Sequence, residues 1–312
     1  MVVENTNLFS KKKQSTFSTL KRKQAIFAWV MLILPVINFI LTWVFINGNT
    51  VVLAFKDRTN QWTLENFKTV YLRFTDPYEA DFWPMLQNTL DYFFVQELFG
   101  LPLSFFVSFF IFKKIAGYKF FRVLFYLPNI IPSMVMVIAF GQFVFPGGVL
   151  EVLCSKVGIT LPVEGLIYNG ETAKYTLMVY TLLKTSCGNI LFYSAFARIP
   201  PELLEAAKID GVTLFKEFIY IDFPLILPTF TMTLLMDSVS ILSAGPPLLE
   251  FGAPPGTVNV AYWFFMQVYG SGANGIGNYG IMSALGLAFT IGMLPLVFAV
   301  RALAEKCSQI EY

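Results

Sequence analysis

The segment Arg198-Ile-Pro-Pro-Glu-Leu-Leu-Glu-Ala-Ala-Lys-Ile-Asp-Gly211 is a short charged stretch between two long apolar runs. Proline cannot continue a helix but fits the first residue of a new one, so Pro200 and Pro201 end one helix and start another. Gly211 can adopt the left-handed conformation that closes a helix at low cost. The spacing therefore predicts a compact helix over Glu202–Asp210, inside a loop formed by residues 198–224.

The side chains of this loop suit contact with another protein. Two small alanines let a partner surface approach closely, carboxylates can meet its donor groups, and apolar side chains, including Phe218, can fill its pockets; this is helix-in-groove recognition. A helix lying in the lipid headgroups is the alternative, but its polar face is usually rich in Lys and Arg, and this face is mainly acidic. The predicted docking residues are Glu202, Leu203, Glu205, Ala206, Ala207, Asp210, Gly211 and Phe215.

Composition indicates an integral membrane protein. The chain has 312 residues, of which 56% are hydrophobic and only 13% are charged. Soluble domains carry about 25% charged residues. Histidine is absent, which removes the commonest general base and metal ligand, and Cys154, Cys187 and Cys307 have no paired spacing. We therefore predict no catalytic residues, no metal site and no nucleic-acid partner.

The apolar runs predict an all-α fold with six transmembrane helices, since about 20 apolar residues cross the hydrocarbon core. A basic tail, residues 1–25, precedes the span-containing domain, residues 26–300, and a second tail, residues 301–312, follows it. The first apolar run is long and lacks a small-residue cleavage site, so we expect an uncleaved span. The predicted spans are Ile26–Ile46, Phe82–Phe112, Phe120–Phe145, Tyr175–Ala197, Leu225–Ala244 and Tyr279–Val300.

The distribution of Lys and Arg predicts the orientation of these spans. Fifteen of the 22 basic residues fall in the two tails and in the second and fourth connections, against five in the first and third connections. The basic side of a membrane protein faces the cytoplasm. Both termini and the loop 198–224 are therefore expected on the cytoplasmic side of a plasma membrane.

Polar groups inside the predicted spans are costly in lipid and point to a transport path. The alternative for Lys184 and Asp237 is a structural salt bridge between them, and Asp91 could lie near the membrane interface. A neutral sugar would need such hydroxyl-matching groups among apolar ones. The candidate path residues are Asn129, Gln142, Lys184, Asn189, Asp237 and Ser238.

The sequence Ile199–Pro228, "IPPELLEAAKIDGVTLFKEFIYIDFPLILP", resembles the Glu-Ala-Ala coupling motif of ABC importer permeases. It shares the Glu-Ala-Ala triplet, the Asp-Gly pair, the following Phe and the closing Leu-Pro, although Val212 replaces a usual Ala. "YLPNIIPSMV" at Tyr126–Val135 and "SAGPP" at Ser243–Pro247 are similar to segments of the carbohydrate branch, the maltose-type or multiple-sugar-type permeases. The C-terminal sequence resembles one of the two permease types of that branch.

The resemblance implies a type I, maltose-type permease fold in a bacterial cell membrane, with the loop 198–224 as the coupling loop. It also implies a second homologous permease, two P-loop ATPase subunits, an extracytoplasmic solute-binding protein and a carbohydrate substrate, such as an oligosaccharide. The segment Gly165–Thr172 has the glycine spacing of a P-loop but Glu171 in place of its Lys, so ATP and Mg are expected on the separate ATPase, with no cofactor on this chain.

Two alternatives remain at this point. The solute could be an amino acid, a polyamine or a polyol phosphate, although an anionic solute would need basic groups in the path, where only Lys184 is available. An ATP-independent secondary transporter would more often contain inverted repeats and proton-relay carboxylates.

Overall fold

A computed structural model describes residues 23–57, 59–75, 82–187, 190–269 and 279–308 of the chain. Within these ranges the regular structure is helical, apart from an isolated antiparallel bridge between Lys56 and Trp62. The chain divides into two compact units, one formed by Met1–Val70 with Tyr279–Leu287 and the other by Tyr71–Asn278 with Ala288–Tyr312.

The helices are numbered here in chain order, and π-helical turns are included in the helices that contain them. Three such turns occur in the described ranges, at Ile40–Val44, Gln96–Gly100 and Phe218–Asp222. The helices are α1 (Lys23–Ala54), α2 (Glu65–Thr75), α3 (Phe82–Phe112), α4 (Tyr118–Ile130), α5 (Ser133–Val144), α6 (Val149–Lys156), α7 (Ala173–Ser186), α8 (Ile190–Phe196), α9 (Pro201–Ile209), α10 (Leu214–Val239), α11 (Leu248–Phe251), α12 (Val260–Tyr269) and α13 (Tyr279–Ser308).

Five helical segments in the described ranges are long and apolar enough to cross a membrane: Lys23–Ala54, Phe82–Phe112, Ser133–Lys156, Leu214–Val239 and Tyr279–Ala302. The second matches its predicted bounds, and the first, fifth and sixth predicted spans overlap helices of the structure.

The predicted bounds of the third and fourth spans are wrong. The third, Phe120–Phe145, is interrupted because Ile131 is extended before Pro132, so that α4 and α5 are separate helices. The fourth, Tyr175–Ala197, falls into α7 and α8, with Cys187 ending α7 in a non-helical conformation. Hydrophobicity alone does not reveal either break.

In the first unit, hydrogen bonds hold the end of α1 against the start of α2. The side chain of Asn66 donates to the carbonyl oxygens of Ala54 and Lys56 at 3.0 and 2.8 Å. Before that junction α1 is solvent-accessible along its length, with large apolar side chains such as Trp29 and Phe45 more than half exposed. An apolar helix with so little burial is suited to lipid or to another subunit.

A phenylalanine cluster forms one core of the second unit. Phe105 on α3 packs its ring 5.3–5.8 Å from the rings of five other phenylalanines. These come from α8 and α10, so the cluster joins three helices that are distant in sequence. Aromatic rings in edge and tilted contact add to the gain from burial. The partners are Phe192, Phe196, Phe218, Phe223 and Phe230.

The middle of α3 approaches α7 closely at Gly100. A methyl group added to Gly100 would lie 2.8 Å from Cγ2 of Thr185, closer than two carbon atoms can pack. Gly100 also ends the π-helical turn Gln96–Gly100, which shifts the helix register at this contact. A small residue at this position therefore sets the distance between the two helices, as is common in membrane bundles.

The connection between α10 and α12 is held against α3 by polar side chains. Asn88 donates to the carbonyl oxygens of Gly256 and Val258, both at 2.9 Å, and the hydroxyl of Thr89 accepts from the backbone of Val260. Gly245 has φ +126°, and an added side chain would meet Tyr92 and Asn259. This connection is therefore an ordered part of the second unit, with a fixed path beside α3.

Candidate functional site: a coupling surface and two polar cavities

The predicted surface helix of loop 198–224 is confirmed as α9. It begins at Pro201, which occupies the first helical position, after the extended Pro200. Asp210 follows its last turn, and Gly211 has φ +68°, the left-handed conformation expected of it. Thr213 directly precedes α10, and its side chain makes no capping hydrogen bond.

Most of the predicted docking residues are exposed. Leu203 is 45% exposed and Phe215 is 70% exposed, which is unusual for apolar side chains outside lipid contact. Ile209 at the end of α9 is 86% exposed, and this apolar side chain is not among the predicted docking residues. The exposed predicted residues are Glu202, Leu203, Glu205, Ala206, Asp210, Gly211 and Phe215.

Two residues expected on the docking surface face the protein interior instead. Ala207 is only 4% exposed, and Phe218 packs in the phenylalanine cluster against Phe105, Phe106 and Phe109. The helical pattern was right, but sequence alone does not tell which of two neighbouring alanines points outward. Ala206 is the alanine available for a close approach by a partner.

A buried charge cluster joins the end of α3 to the start of α10. The ammonium group of Lys113 lies 2.8 Å from Oε1 of Glu217 and 2.8 Å from Oδ2 of Asp222. The side chain of Asp222 is fully buried, while the other two are about one-tenth exposed. Lys113 also lies over the rings of Phe109 and Phe112, at 5.4 and 5.3 Å. The loop 198–224 is therefore connected electrostatically to α3.

From the sequence alone, Lys113 counts only as one of the basic residues of the second connection, and neither carboxylate is predicted to pair with it. The one available hint was Asp222, a carboxylate within the apolar sequence Ile219-Tyr-Ile-Asp-Phe-Pro224. Its partner lies 109 positions earlier in the chain, and no local pattern indicates so distant a contact.

A cavity of about 590 Å³ lies within the second unit, between α3, α4 and α7. Two of the predicted path residues, Asn129 and Lys184, line it. Asn129 donates to the carbonyl oxygen of Cys187 at 2.6 Å, at the end of α7. The other lining residues are Gln96, Tyr126, Ile130, Tyr180, Thr181, Thr185, Cys187, Ile190, Gly245 and Pro246.

A second cavity of about 600 Å³ lies between α3, α8 and α10 and contains Asp237. The two cavities share Gln96 and Thr185 as lining residues. Lys184 and Asp237 thus belong to different cavities, and the alternative of a salt bridge between them is not found. Asp91 instead pairs with Lys174.

The remaining predicted path residues are placed elsewhere. Ser238 is buried, and its hydroxyl donates to the carbonyl oxygen of Leu234 at 2.7 Å. Gln142 is exposed on α5 and is not among the residues that line these two cavities. Asn189 lies outside the described residues. The sequence analysis missed Gln96, Tyr126, Tyr180, Thr181 and Thr185, which share no periodic signal and come together only through helix packing.

This chain is similar in sequence to permease proteins whose names give different transported solutes. The chain is 28% identical over 183 residues to "Probable starch degradation products transport system permease protein AmyD" of Thermoanaerobacterium thermosulfurigenes, covering 54% of this chain and 60% of the relative. It is 25% identical over 252 residues to "sn-glycerol-3-phosphate transport system permease protein UgpA" of Shigella flexneri, covering 80% and 81% of the two chains.

A solved structure has the same fold. A chain of a bacterial ABC transporter involved in the import of the acidic polysaccharide alginate superposes with a TM-score of 0.73, covering 93% of this chain and 98% of that chain at 21% identity.

The family assignment rests on a family model of the binding-protein-dependent transport system inner membrane component, which matches residues 100–309. This match includes the coupling loop, the charge cluster and most of the lining of both cavities. The resemblance to importer permeases is thereby confirmed at the level of the family, and the chain is a multi-pass membrane component of a transport system. This protein belongs to the family of inner membrane components of binding-protein-dependent transport systems.

Proposed function

We propose that this chain is the permease subunit of an ATP-driven importer that receives a carbohydrate from an external binding protein. Its partners are a second homologous permease, two P-loop ATPase subunits and the binding protein, in a bacterial plasma membrane with both termini cytoplasmic. The family membership, the starch-product relative and the fold shared with the alginate transporter support this proposal.

The proposal of an ATPase partner rests on the exposed face of α9. It presents Glu205, Ala206 and Ile209 outward, next to the exposed Phe215. A helix of this kind can insert into a groove of another protein, with its small residue at the point of closest approach. Closure of the ATPase pair on binding ATP would move α9, and hydrolysis would release it. ATP and Mg bind only to the ATPase in this scheme.

The charge cluster links this movement to a helix that lines the cavities. Lys113 connects the start of α10 to the end of α3, and α3 lines both cavities through Gln96. Movement of α9 and the adjacent start of α10 is therefore transmitted to α3 through charged contacts and the phenylalanine cluster. The cavities would open to opposite sides of the membrane in turn.

The test is purification of the complex in mild detergent, followed by ATP-dependent uptake in proteoliposomes. Glu205→Lys reverses a charge on the exposed face, and Gly211→Pro forces φ to about −65° where the structure has +68°. We expect both variants to insert normally and to lose the ATPase. Glu164→Lys is the matched control, since Glu164 is also exposed but lies in the connection between α6 and α7.

Two results would contradict the proposal. One is full uptake by both loop variants, which would remove the docking role of α9. The other is uptake without any ATPase, which would indicate a secondary transporter instead.

A polyol phosphate is the second candidate substrate. The glycerol-3-phosphate relative covers more of the chain than the starch-product relative does. Lys184 lines the cavity of about 590 Å³ and supplies a positive charge that a phosphate group needs. Competition of unlabelled sn-glycerol 3-phosphate against labelled oligosaccharide uptake would separate the two substrates.

A further inference from the structure

Lys184 is a cation in a place where an isolated charge is costly. It belongs to α7, within the predicted fourth span, where nine residues of that span precede it and thirteen follow it. Its side chain lines the 590 Å³ cavity, and no hydrogen bond or ion pair joins it to any residue within the described ranges. Charged groups at membrane depth are normally paired or functional. Lys184 therefore has room for a counter-ion that is not part of this subunit.

The lining of this cavity has no carboxylate that could neutralise Lys184. Neither Asp nor Glu occurs among its twelve lining residues. The cavity that contains Asp237 is a different one, which shares Gln96 and Thr185 with the first. Lys184 is therefore the one charged side chain among the twelve residues that line the first cavity.

Two further groups in the same cavity lack partners. The hydroxyl oxygens of Tyr126 and Tyr180 are buried, and neither makes a hydrogen bond within the described part of the chain. An unpaired buried hydroxyl is costly, so such groups are usually satisfied by water or by a ligand. Thr181 differs, because its hydroxyl donates to the carbonyl oxygen of Leu177 in its own helix. The two tyrosines and Lys184 are thus the groups left to meet a ligand.

We propose that this cavity binds a carbohydrate or polyol with one anionic group, a carboxylate or a phosphate, which Lys184 neutralises. This inference rests on the proposed function, and it specifies the substrate class. The tyrosine hydroxyls donate to the anion or to neighbouring sugar hydroxyls. The uncharged, hydroxyl-bearing end of the ligand is directed towards the polar side chains of Gln96 and Thr185. A volume of about 590 Å³ suits a ligand of disaccharide size, within the range of about 300–1,000 Å³ for small-molecule sites.

The experiment measures equilibrium binding to the purified complex in lipid nanodiscs, without ATP and without the binding protein. Three probes are used: a disaccharide with one glucuronate residue, the same disaccharide with its carboxyl group reduced to an alcohol, and sn-glycerol 3-phosphate. Lys184→Met removes the charge at similar length, and Lys184→Arg keeps it. Lys156→Met makes the same change on an exposed lysine outside the cavity and is the control.

We expect the wild-type complex to bind an anionic probe at least about tenfold more tightly than the reduced disaccharide, with a preference that weakens as salt is added. Lys184→Met should abolish this preference, while Lys184→Arg and Lys156→Met should retain it. Tight binding of the glucuronate probe would assign a carboxylate ligand, and tight binding of glycerol 3-phosphate a phosphate ligand.

The inference is overturned if the wild type binds no probe, if it binds the acidic and reduced disaccharides equally, or if Lys184→Met keeps the preference. These results are distinct from failure of the proposed function, because the ATPase is assayed separately in the same preparation. A complex that contains its ATPase but shows no charge preference contradicts only the assignment of Lys184. A chain that purifies without any ATPase contradicts the proposed importer itself.

Discussion

At the scale of single residues, the cluster of Lys113, Glu217 and Asp222 has one positive and two negative groups in a nearly closed environment. Removing charges from water is costly, and only close opposite charges offset that cost. The three residues are therefore interdependent: the lysine is shared, and the loss of either carboxylate has a different consequence from the loss of the lysine.

Lys113→Met should lower the stability of the protein strongly, by about 3–5 kcal/mol, because two buried carboxylates lose the cation that they share. Glu217→Gln should have a much smaller effect, since it leaves the Lys113–Asp222 pair intact and cancels the excess negative charge. Thermal unfolding of both variants in the same detergent would measure the difference. Equal unfolding temperatures for the two variants would show that the cluster does not stabilise the fold electrostatically.

At the scale of elements, α9 places two neighbouring alanines in different environments, one exposed and one buried. Ala206 is exposed, whereas Ala207 is 4% exposed and faces the subunit. The helix therefore has an inner face that fixes its position and an outer face that is free for a partner. The same large substitution should give opposite results at these two adjacent positions.

Ala206→Trp should leave folding intact and reduce ATP-driven uptake by roughly ten- to hundredfold, since it blocks the centre of the docking face. Ala207→Trp should instead destabilise the subunit by about 1–3 kcal/mol or more, since a large ring has no space there. Unfolding temperature and ATPase co-purification, measured for both, distinguish the two effects. Loss of the ATPase only in the Ala207 variant would assign the docking role to another surface.

The contact between α3 and α7 makes a second prediction at this scale. Gly100→Ala should destabilise the subunit by about 1–3 kcal/mol, because the new methyl group overlaps Thr185. Gly141→Ala on α5 is the control, since no atom lies within 4 Å of the added carbon there. Alanine also favours helix over glycine, so this control should unfold at the same or a higher temperature. A Gly100 variant as stable as the control would mean that the two helices can separate freely.

At the scale of the whole molecule, the orientation in the membrane is open to a direct test. In a variant whose Cys154, Cys187 and Cys307 are replaced by Ser, single cysteines are introduced at Lys208 and at Glu164. A membrane-impermeant thiol reagent added to intact cells should label the cysteine at 164 and leave that at 208 unlabelled until the membrane is broken. The opposite pattern would invert the topology inferred from the positive charges.

The parts of this molecule that sequence could predict are those with local signals. Pro201 and Gly211 start and stop α9 through their own backbone preferences, and the apolar run Phe82–Phe112 is a single helix. The interruptions at Pro132 and Cys187 were missed because a broken apolar run remains apolar. The pairing of Lys113 with Asp222, and of Tyr126 with Tyr180 in one cavity, depends on packing between distant segments.

The separation of Lys113 from Glu217, 104 positions along the chain, has a consequence for biogenesis. A bacterial ribosome adds about 5–20 residues per second, so Lys113 is synthesised roughly 5–20 s before either carboxylate. During that interval its ammonium group must remain hydrated at the membrane edge. The cluster can therefore close only after Asp222, 109 positions after Lys113, has been synthesised.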